Sequence, residues 1–90
     1  MEKIIITVVG RDAVGIIAKT SAYLAKNGIN ILDISQTVVQ EYFNLMMIAD
    51  CAKSRAPFEK VAAGLAELGR GMGLEIRCQK ADIFERMHRV

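Results

Sequence analysis

The stretch INILDISQTVVQEYFNLMMIADC, from Ile29 to Cys51, constrains the fold more than any other part of this sequence. At about 3.3 Å per residue, one strand of this length would far exceed the usual strand in a small domain. The stretch must therefore fold back on itself, and we place the turn near Gln40–Glu41, although no Gly, Asn or Pro marks it. Apolar residues occupy both faces of the second arm, which predicts a central strand. One face holds Phe43, Leu45, Met47 and Ala49, and the other holds Tyr42, Asn44, Met46 and Ile48.

A strand and a helix are predicted before this hairpin. The β-branched run from Lys3 to Val9 is typical of a strand that is buried on both faces. Steps of three and four residues then predict a helix with one apolar face. This face holds Val14, Ile17, Ala18, Ser21, Leu24 and Ala25. Gly28 suits the left-handed residue that follows a helix C-terminus.

A second helix and a fourth strand are predicted after the hairpin. Pro57 suits the first turn of a helix, and helical spacing continues through Phe58, Val61, Leu65 and Leu68. The segment LEIRCQ alternates, with Leu74, Ile76 and Cys78 facing inward.

The order β-α-β-β-α-β predicts an α+β, ferredoxin-like sandwich with a four-stranded antiparallel sheet. Right-handed crossovers place both helices on one face of this sheet. Residues 1–80 form the domain, and residues 81–90 are predicted to be a short C-terminal helical tail. This tail carries Ile83, Phe84 and Met87 on one stripe, and it is too short to be stable unless it docks on something.

Composition argues against several classes of function. The formal net charge is +2 and the basic residues are scattered, so no basic face for nucleic acid is expected. The chain has no apolar run long enough to span a membrane and no recognisable signal peptide. Cys51 and Cys78 form no C-x-x-C pair, and buried free thiols in a reducing cytoplasm are expected.

The loop GRDAVG, with Gly10 and Gly15, resembles the spacing of a phosphate-binding P-loop but lacks its chemistry. A P-loop needs Lys directly after its second glycine, and Ile16 stands there. The loop instead leads into a helix N-terminus, which favours a carboxylate or another anion. Asp12 can cap this helix or receive a ligand ammonium group, and both interpretations remain open.

No catalytic or metal-binding constellation is apparent. His88 is the single histidine and has no identifiable Asp or Cys partner, and the two cysteines do not have zinc-ligand spacing. The first loop lacks the C-x-x-C of a copper chaperone, and the first strand lacks the aromatic residues of an RNA-recognition motif. We expect no cofactor and no enzymatic activity.

The segment TVVGRDAVGIIAKTSAYLAKNGINILDISQTVVQEYFNLMMIAD resembles the ACT domain, a small regulatory module of amino-acid metabolism. The resemblance lies in a D-x-x-G-[IL] loop (Asp12, Gly15, Ile16) and a G-x-N-I segment (Gly28, Asn30, Ile31). The segment DISQTVVQEYFNLMM and the ending IFERMHR further resemble a stand-alone subgroup of single-ACT proteins of uncharacterised function. That subgroup is similar to the ACT halves of glycine-cleavage regulators. Many ACT loops carry D-R-P-G, whereas Ala13 and Val14 precede Gly15 here.

The resemblance implies a homodimer whose two sheets join side by side and which binds an amino acid at the interface. It implies that one wall of the site is the loop after the first strand, and that the other is the start of a partner's second strand. These walls are Asp12, Ala13, Val14, Gly15 and Ile16 on one side, and Asn30 and Ile31 on the other. Occupancy would be signalled to a protein partner. The alternative is a module that dimerises or binds another protein without any metabolite.

Overall fold

The chain forms its six elements in the predicted order. A computed structural model describes residues 2–11 and 14–82. The elements are β1 (Lys3–Arg11), α1 (Ile16–Lys26), β2 (Asn30–Val39), β3 (Tyr42–Asp50), α2 (Phe58–Gly71) and β4 (Glu75–Lys80). Ala81 and Asp82 are helical, and residues 83–90 of the predicted tail lie outside the described residues.

The four strands form one antiparallel sheet in the order β2-β3-β1-β4. The β1–β3 register runs from Lys3 opposite Asp50 at one end to Arg11 opposite Tyr42 at the other. This arrangement confirms the predicted ferredoxin-like fold and the central place of β3. The β2–β3 turn is at Gln40–Glu41, as predicted, and Gln40 takes a left-handed φ of 56°.

The core lies between the sheet and the two helices. Alternate residues of the central strands face the helices and are buried: Ile4, Ile6 and Val8 in β1, and Phe43, Leu45, Met47 and Ala49 in β3. The prediction that β1 is buried on both faces is wrong at its far end, because Val9 is 46% exposed while Ile5 is buried. Both side chains lie on the face opposite the helices.

The predicted apolar face of α1 is wrong except at Leu24. The buried residues are Ile16, Thr20 and Leu24, whereas Val14 precedes the helix and Ile17 and Ala18 are exposed. The buried stripe follows i, i+4 spacing and has a threonine at its centre, so it lies to one side of the predicted face. The Thr20 hydroxyl is fully buried and has no hydrogen-bond partner among the described residues, an arrangement that costs free energy.

The C-terminus of α1 ends in a Schellman motif, as Gly28 predicts. Gly28 has a φ of 76°, and its N–H donates to the carbonyl of Ala25 at 3.1 Å. The N–H of Ile29 donates to the carbonyl of Leu24 at 2.9 Å, and both of these side chains are buried. This cap turns the chain directly into β2.

The start of α2 differs slightly from the prediction. Pro57 is the N-cap residue and has extended backbone angles, so the first turn begins at Phe58. The buried stripe is Val61, Leu65 and Gly69, and the predicted residues Phe58 and Leu68 are half-buried at its sides.

Gly64 in α2 leaves the space in which Tyr23 of α1 packs. A Cβ built on Gly64 would lie 2.0 Å from the Tyr23 hydroxyl oxygen and 2.7 Å from Cζ. The Tyr23 hydroxyl lies 3.5 Å from the carbonyl oxygen of Val61, and burial raises the pKa of the phenol. A glycine that weakens an isolated helix therefore allows the two helices to pack here.

Replacing Gly64 with alanine should destabilise the protein, although alanine favours a helix by about 0.5–1 kcal/mol. The new methyl group would displace the Tyr23 ring, and overpacking of this kind costs about 1–3 kcal/mol. Urea unfolding measures the change. Gly71→Ala is the matched control, because nothing lies within 4 Å of its Cβ position. We expect it to leave stability unchanged or to raise it by up to about 1 kcal/mol, and an equal loss of stability from both substitutions would contradict this account.

Candidate functional site

The glycine loop leads into α1 through Gly15, which has a left-handed backbone conformation that glycine adopts easily. Gly15 is the N-cap residue with φ 83° and ψ 7°, and no side chain among the described residues caps the helix there. The backbone N–H of Lys19 makes the first helical bond to the Gly15 carbonyl at 2.9 Å. The N–H groups of Ile16, Ile17 and Ala18 therefore have no partner within the helix. No acidic residue lies in the first turn of α1 itself, so an anion is favoured at this positive helix end.

Two other predicted residues of this loop differ in exposure, since Ile16 is buried and Val14 is exposed. Ile16 is 3% exposed and belongs to the core, which anchors the helix start. Val14 is 99% exposed, and apart from the two adjacent residues no described part of the chain lies within 4 Å of the Cβ position of Gly15. The surface before the helix is therefore open to a ligand or to another chain. Asp12 and Ala13 lie outside the described residues.

The second predicted wall lies at the start of β2. Asn30 is exposed and pairs in register with Asp50, and Ile31 is half-buried against the core. The Asp50 carboxylate accepts hydrogen bonds from the backbone N–H groups of Ala52 at 3.0 Å and Glu2 at 3.2 Å. These bonds, that of Ala52 foremost, lower the pKa of Asp50, so a fixed negative charge flanks this wall.

The two predicted walls lie at opposite ends of the sheet within one chain. The glycine loop follows Arg11, which pairs with Tyr42, whereas Asn30 pairs with Asp50. Tyr42 and Asp50 are the two ends of β3, so they are about 26 Å apart at the usual rise of a strand. One chain alone does not bring the two predicted walls together.

A cavity of about 720 Å³ lies at the end of the sheet away from the glycine loop. Ile4 and Val61 form part of its buried floor, and Cys51, Phe58 and Lys80 line its sides. None of the predicted site residues that the structure describes lines this cavity. Its walls come from separated segments of the chain, so no local sequence motif announces it.

Both cysteines are free thiols with reduced acidity. Burial raises the pKa of Cys78 to about 11, with a smaller contribution from Cys51. Burial also raises the pKa of Cys51, and Glu2 adds to this effect. Neither thiol is poised as a nucleophile. Among the described residues, no group of three or more His, Cys, Asp or Glu side chains could hold a metal ion.

Comparison with known proteins identifies the family. The profile of the ACT domain matches residues 2–79. The chain belongs to the ACT domain family. ACT domains are generally regulatory modules that bind small molecules such as amino acids, rather than catalytic domains. In the described part of this ACT domain, no helix is both long and apolar enough to cross a membrane.

Three similar proteins show where this ACT domain stands within the family. A UPF0237 protein of Bifidobacterium longum is 50% identical over the full length of both chains. An ACT domain protein from Streptococcus pneumoniae is 40% identical with a TM-score of 0.81, covering 93% of this chain and 94% of that one. A putative glycine cleavage system transcriptional repressor is 25% identical with a TM-score of 0.73, covering 88% of this chain and 45% of that one. The resemblance drawn from the sequence is confirmed.

Substitution of Gly15 should reveal the cost of its left-handed backbone. Since the Cβ position is open, Gly15→Ala should lose about 1 kcal/mol of unfolding free energy through the backbone alone. Asparagine tolerates this conformation better than other residues, so Gly15→Asn should lose less. Urea unfolding of both variants measures the difference. An equal loss of unfolding free energy in both would show that the left-handed backbone conformation does not determine the effect of the substitution.

The raised pKa of Cys78 makes stability fall at alkaline pH. The folded protein holds the thiol proton more tightly than the unfolded chain, in which a cysteine titrates near 9.0. The contribution of this group is therefore complete below about pH 9 and is lost as pH rises towards 11. We expect the stability advantage of wild type over Cys78→Ala to shrink across this interval in urea unfolding. An advantage that stays constant would contradict a buried neutral thiol.

Proposed function

We propose that this ACT domain is a homodimeric regulatory module that binds an amino acid and signals its occupancy to a protein partner. Family membership supports the regulatory role. The structural likeness to a putative glycine cleavage system transcriptional repressor also supports a regulatory role. The two free thiols fit a reducing compartment, and we place the protein in the cytoplasm.

The glycine loop has the chemistry to hold the ligand carboxylate. The free N–H groups at the start of α1 would donate to its oxygens, and the absence of an acidic residue in the first turn favours negative charge there. Gly15 lets the ligand approach the backbone, Val14 supplies exposed apolar surface, and the buried Ile16 anchors the start of the helix in the core. We assign the ligand ammonium group to Asp12, and a further hydrogen bond to the Asn30 amide, with Ile31 beside it.

The dimer would form along β2, which is an unprotected edge of the sheet. Four of its apolar side chains are 40–59% exposed: Leu32, Ile34, Val38 and Val39. Asp33 is its only charged residue. The opposite edge, β4, carries Glu75, Arg77 and Lys80, with a 2.8 Å ion pair between Arg77 and Glu75. Charged residues protect an edge strand from pairing, and β2 lacks this protection.

Antiparallel pairing of two β2 strands would bring one wall from each subunit closer together than the two walls of a single chain. With the two-fold axis near the middle of β2, Asn30 of the partner subunit lies beside Val39. Val39 is opposite Tyr42, and Tyr42 is opposite Arg11. The partner's Asn30 would thus be three strand spacings, about 14 Å, from Arg11 at the entrance of the glycine loop. The separation of the two walls within one chain is the observation that carries this proposal.

A thermal-shift screen against the twenty amino acids, confirmed by calorimetry, tests the proposal. A ligand at a hundred times its dissociation constant stabilises by about 2.7 kcal/mol, so one or two amino acids should raise the melting temperature selectively. Gly15→Asn and Asn30→Ala should each abolish this response while sedimentation still shows a dimer. A flat response across the panel would favour a dimerisation module without a metabolite.

A heterodimer of the two variants shows whether the site is shared. If each site takes its loop from one subunit and Asn30 from the other, one of the two sites in a Gly15→Asn/Asn30→Ala heterodimer is intact. Calorimetry of the purified heterodimer should then find about half the wild-type stoichiometry. If the walls belonged to a single chain, both sites would be damaged and the heterodimer would not bind.

A further inference from the structure

The sheet has an open face, opposite the helices, and the centre of this face is apolar. The register and the alternation of buried residues place Ile5 and Val9 of β1, and Tyr42, Met46 and Ile48 of β3, on the open face. Val9, Tyr42 and Met46 are 41–51% exposed, although they belong to the two central strands. Large apolar side chains that lie exposed side by side mark an interaction surface.

The outer strands border this apolar centre with polar side chains. On the open face, β4 carries Glu75, Arg77 and Gln79, and β2 carries Ser35 and Thr37. All five of these residues are exposed. An apolar centre with a polar border is the usual arrangement of a protein–protein interface.

Nothing in residues 2–11 and 14–82 covers the open face. Both helices pack against the other face of the sheet. The last described residues, Ala81 and Asp82, line the cavity together with Phe58 and Val61 of α2, so the described chain ends on the helix side. The open face is therefore available to another chain.

The size of the open face indicates which chain fits it. Four strands about 4.8 Å apart and about 26 Å long give an area of about 500 Å² for one chain. A standard interface takes about 800 Å² from each partner, so the open face of one chain is too small. In the dimer proposed along β2, the two open faces join into one eight-stranded face of about 1,000 Å², which is large enough. A second dimer offers a face of the same size, with an apolar patch for each apolar patch.

We propose that two dimers stack through their open faces and form a closed tetramer with three perpendicular two-fold axes. This arrangement rests on the dimer along β2 proposed above. The two stacked sheets lie about 10 Å apart. The helices and the glycine loops remain on the outside, so stacking does not close the proposed amino-acid site.

The strand register shows which residues meet in the stacked faces. The middle of β2 is level with Ser35, and pairing places Ser35, Met46, Thr7 and Arg77 in one row across the sheet. A two-fold axis along this row brings each of these residues against the same residue of the facing subunit. Met46 then packs on Met46 within the apolar patch. Arg77 approaches Arg77 at the border, where the Glu75 carboxylate lies 2.8 Å from each guanidinium and neutralises it.

Sedimentation velocity over a range of protein concentrations, without added amino acid, tests the stacking. The wild type should reach a tetramer. Met46→Arg, which places a cation inside the apolar patch, should raise the dissociation constant of the tetramer by about tenfold or more and leave dimers. Ala63→Arg puts the same charge on the exposed surface of α2 and should leave the tetramer intact. Urea unfolding checks that both variants are folded.

The species that remain separate the two proposals. A wild-type dimer that Met46→Arg leaves unchanged would overturn the stacking alone. A wild-type dimer that Met46→Arg converts to monomers would overturn the pairing along β2, and with it the stacking of two dimers.

Substitution of Glu75 tests the orientation without disturbing the apolar patch. In Glu75→Gln the facing Arg77 guanidinium groups repel each other, so at low salt the dissociation constant of the tetramer should rise by about threefold or more. Glu75→Gln/Arg77→Gln should restore the wild-type value. No effect of Glu75→Gln, or a double variant as weak as the single one, would overturn this arrangement of the two faces.

Discussion

The antiparallel pairing of β1 with β3 is the contact on which the rest of this structure depends. It runs without interruption from Lys3–Asp50 to Arg11–Tyr42, and it aligns the alternation of both strands so that one face of each is buried under the helices. The same register places the glycine loop at one end of the sheet, and the start of β2 and the cavity at the other. The two ends have different chemistry: the positive start of a helix lies at one end, and a cavity lined by charged groups of both signs, among them Glu2, Glu59 and Lys80, lies at the other.

Most of the fold could be predicted from the sequence because its signals are local. The period-two pattern of β3 and the glycine at the end of α1 each depend on a few neighbouring residues, and both predictions are confirmed. The face of α1 could not be predicted from apolar residues alone, because Thr20 occupies its centre. The turn was correctly placed only because the hairpin length required it, since Gln40 takes a left-handed conformation without the usual Gly or Asn.

The exposure of β2 could not be predicted from the sequence. Ile34 and Val38 lie opposite Met47 and Phe43 and share the helix-facing side of the sheet, yet both remain exposed. A sequence pattern does not state how far the helices extend over a sheet, so the exposure of these two side chains could not be predicted. A register irregularity between Ile31 and Asp33 also changes the alternation there. For the candidate site, the resemblance supplied the residues, and only the strand register showed that its two walls lie far apart.

The space at Gly64 has a consequence for how this sequence can change over time. Because the Tyr23 hydroxyl occupies the volume that any Cβ at position 64 would need, the two positions are not free to vary independently. In a relative with a smaller residue at position 23, the space beside position 64 is free, so alanine can replace the glycine there. If alanine comes first, the intermediate protein carries the overlap between its methyl group and the Tyr23 ring. The pair should therefore covary, and the order of its changes along a lineage should be biased towards the tyrosine being replaced first.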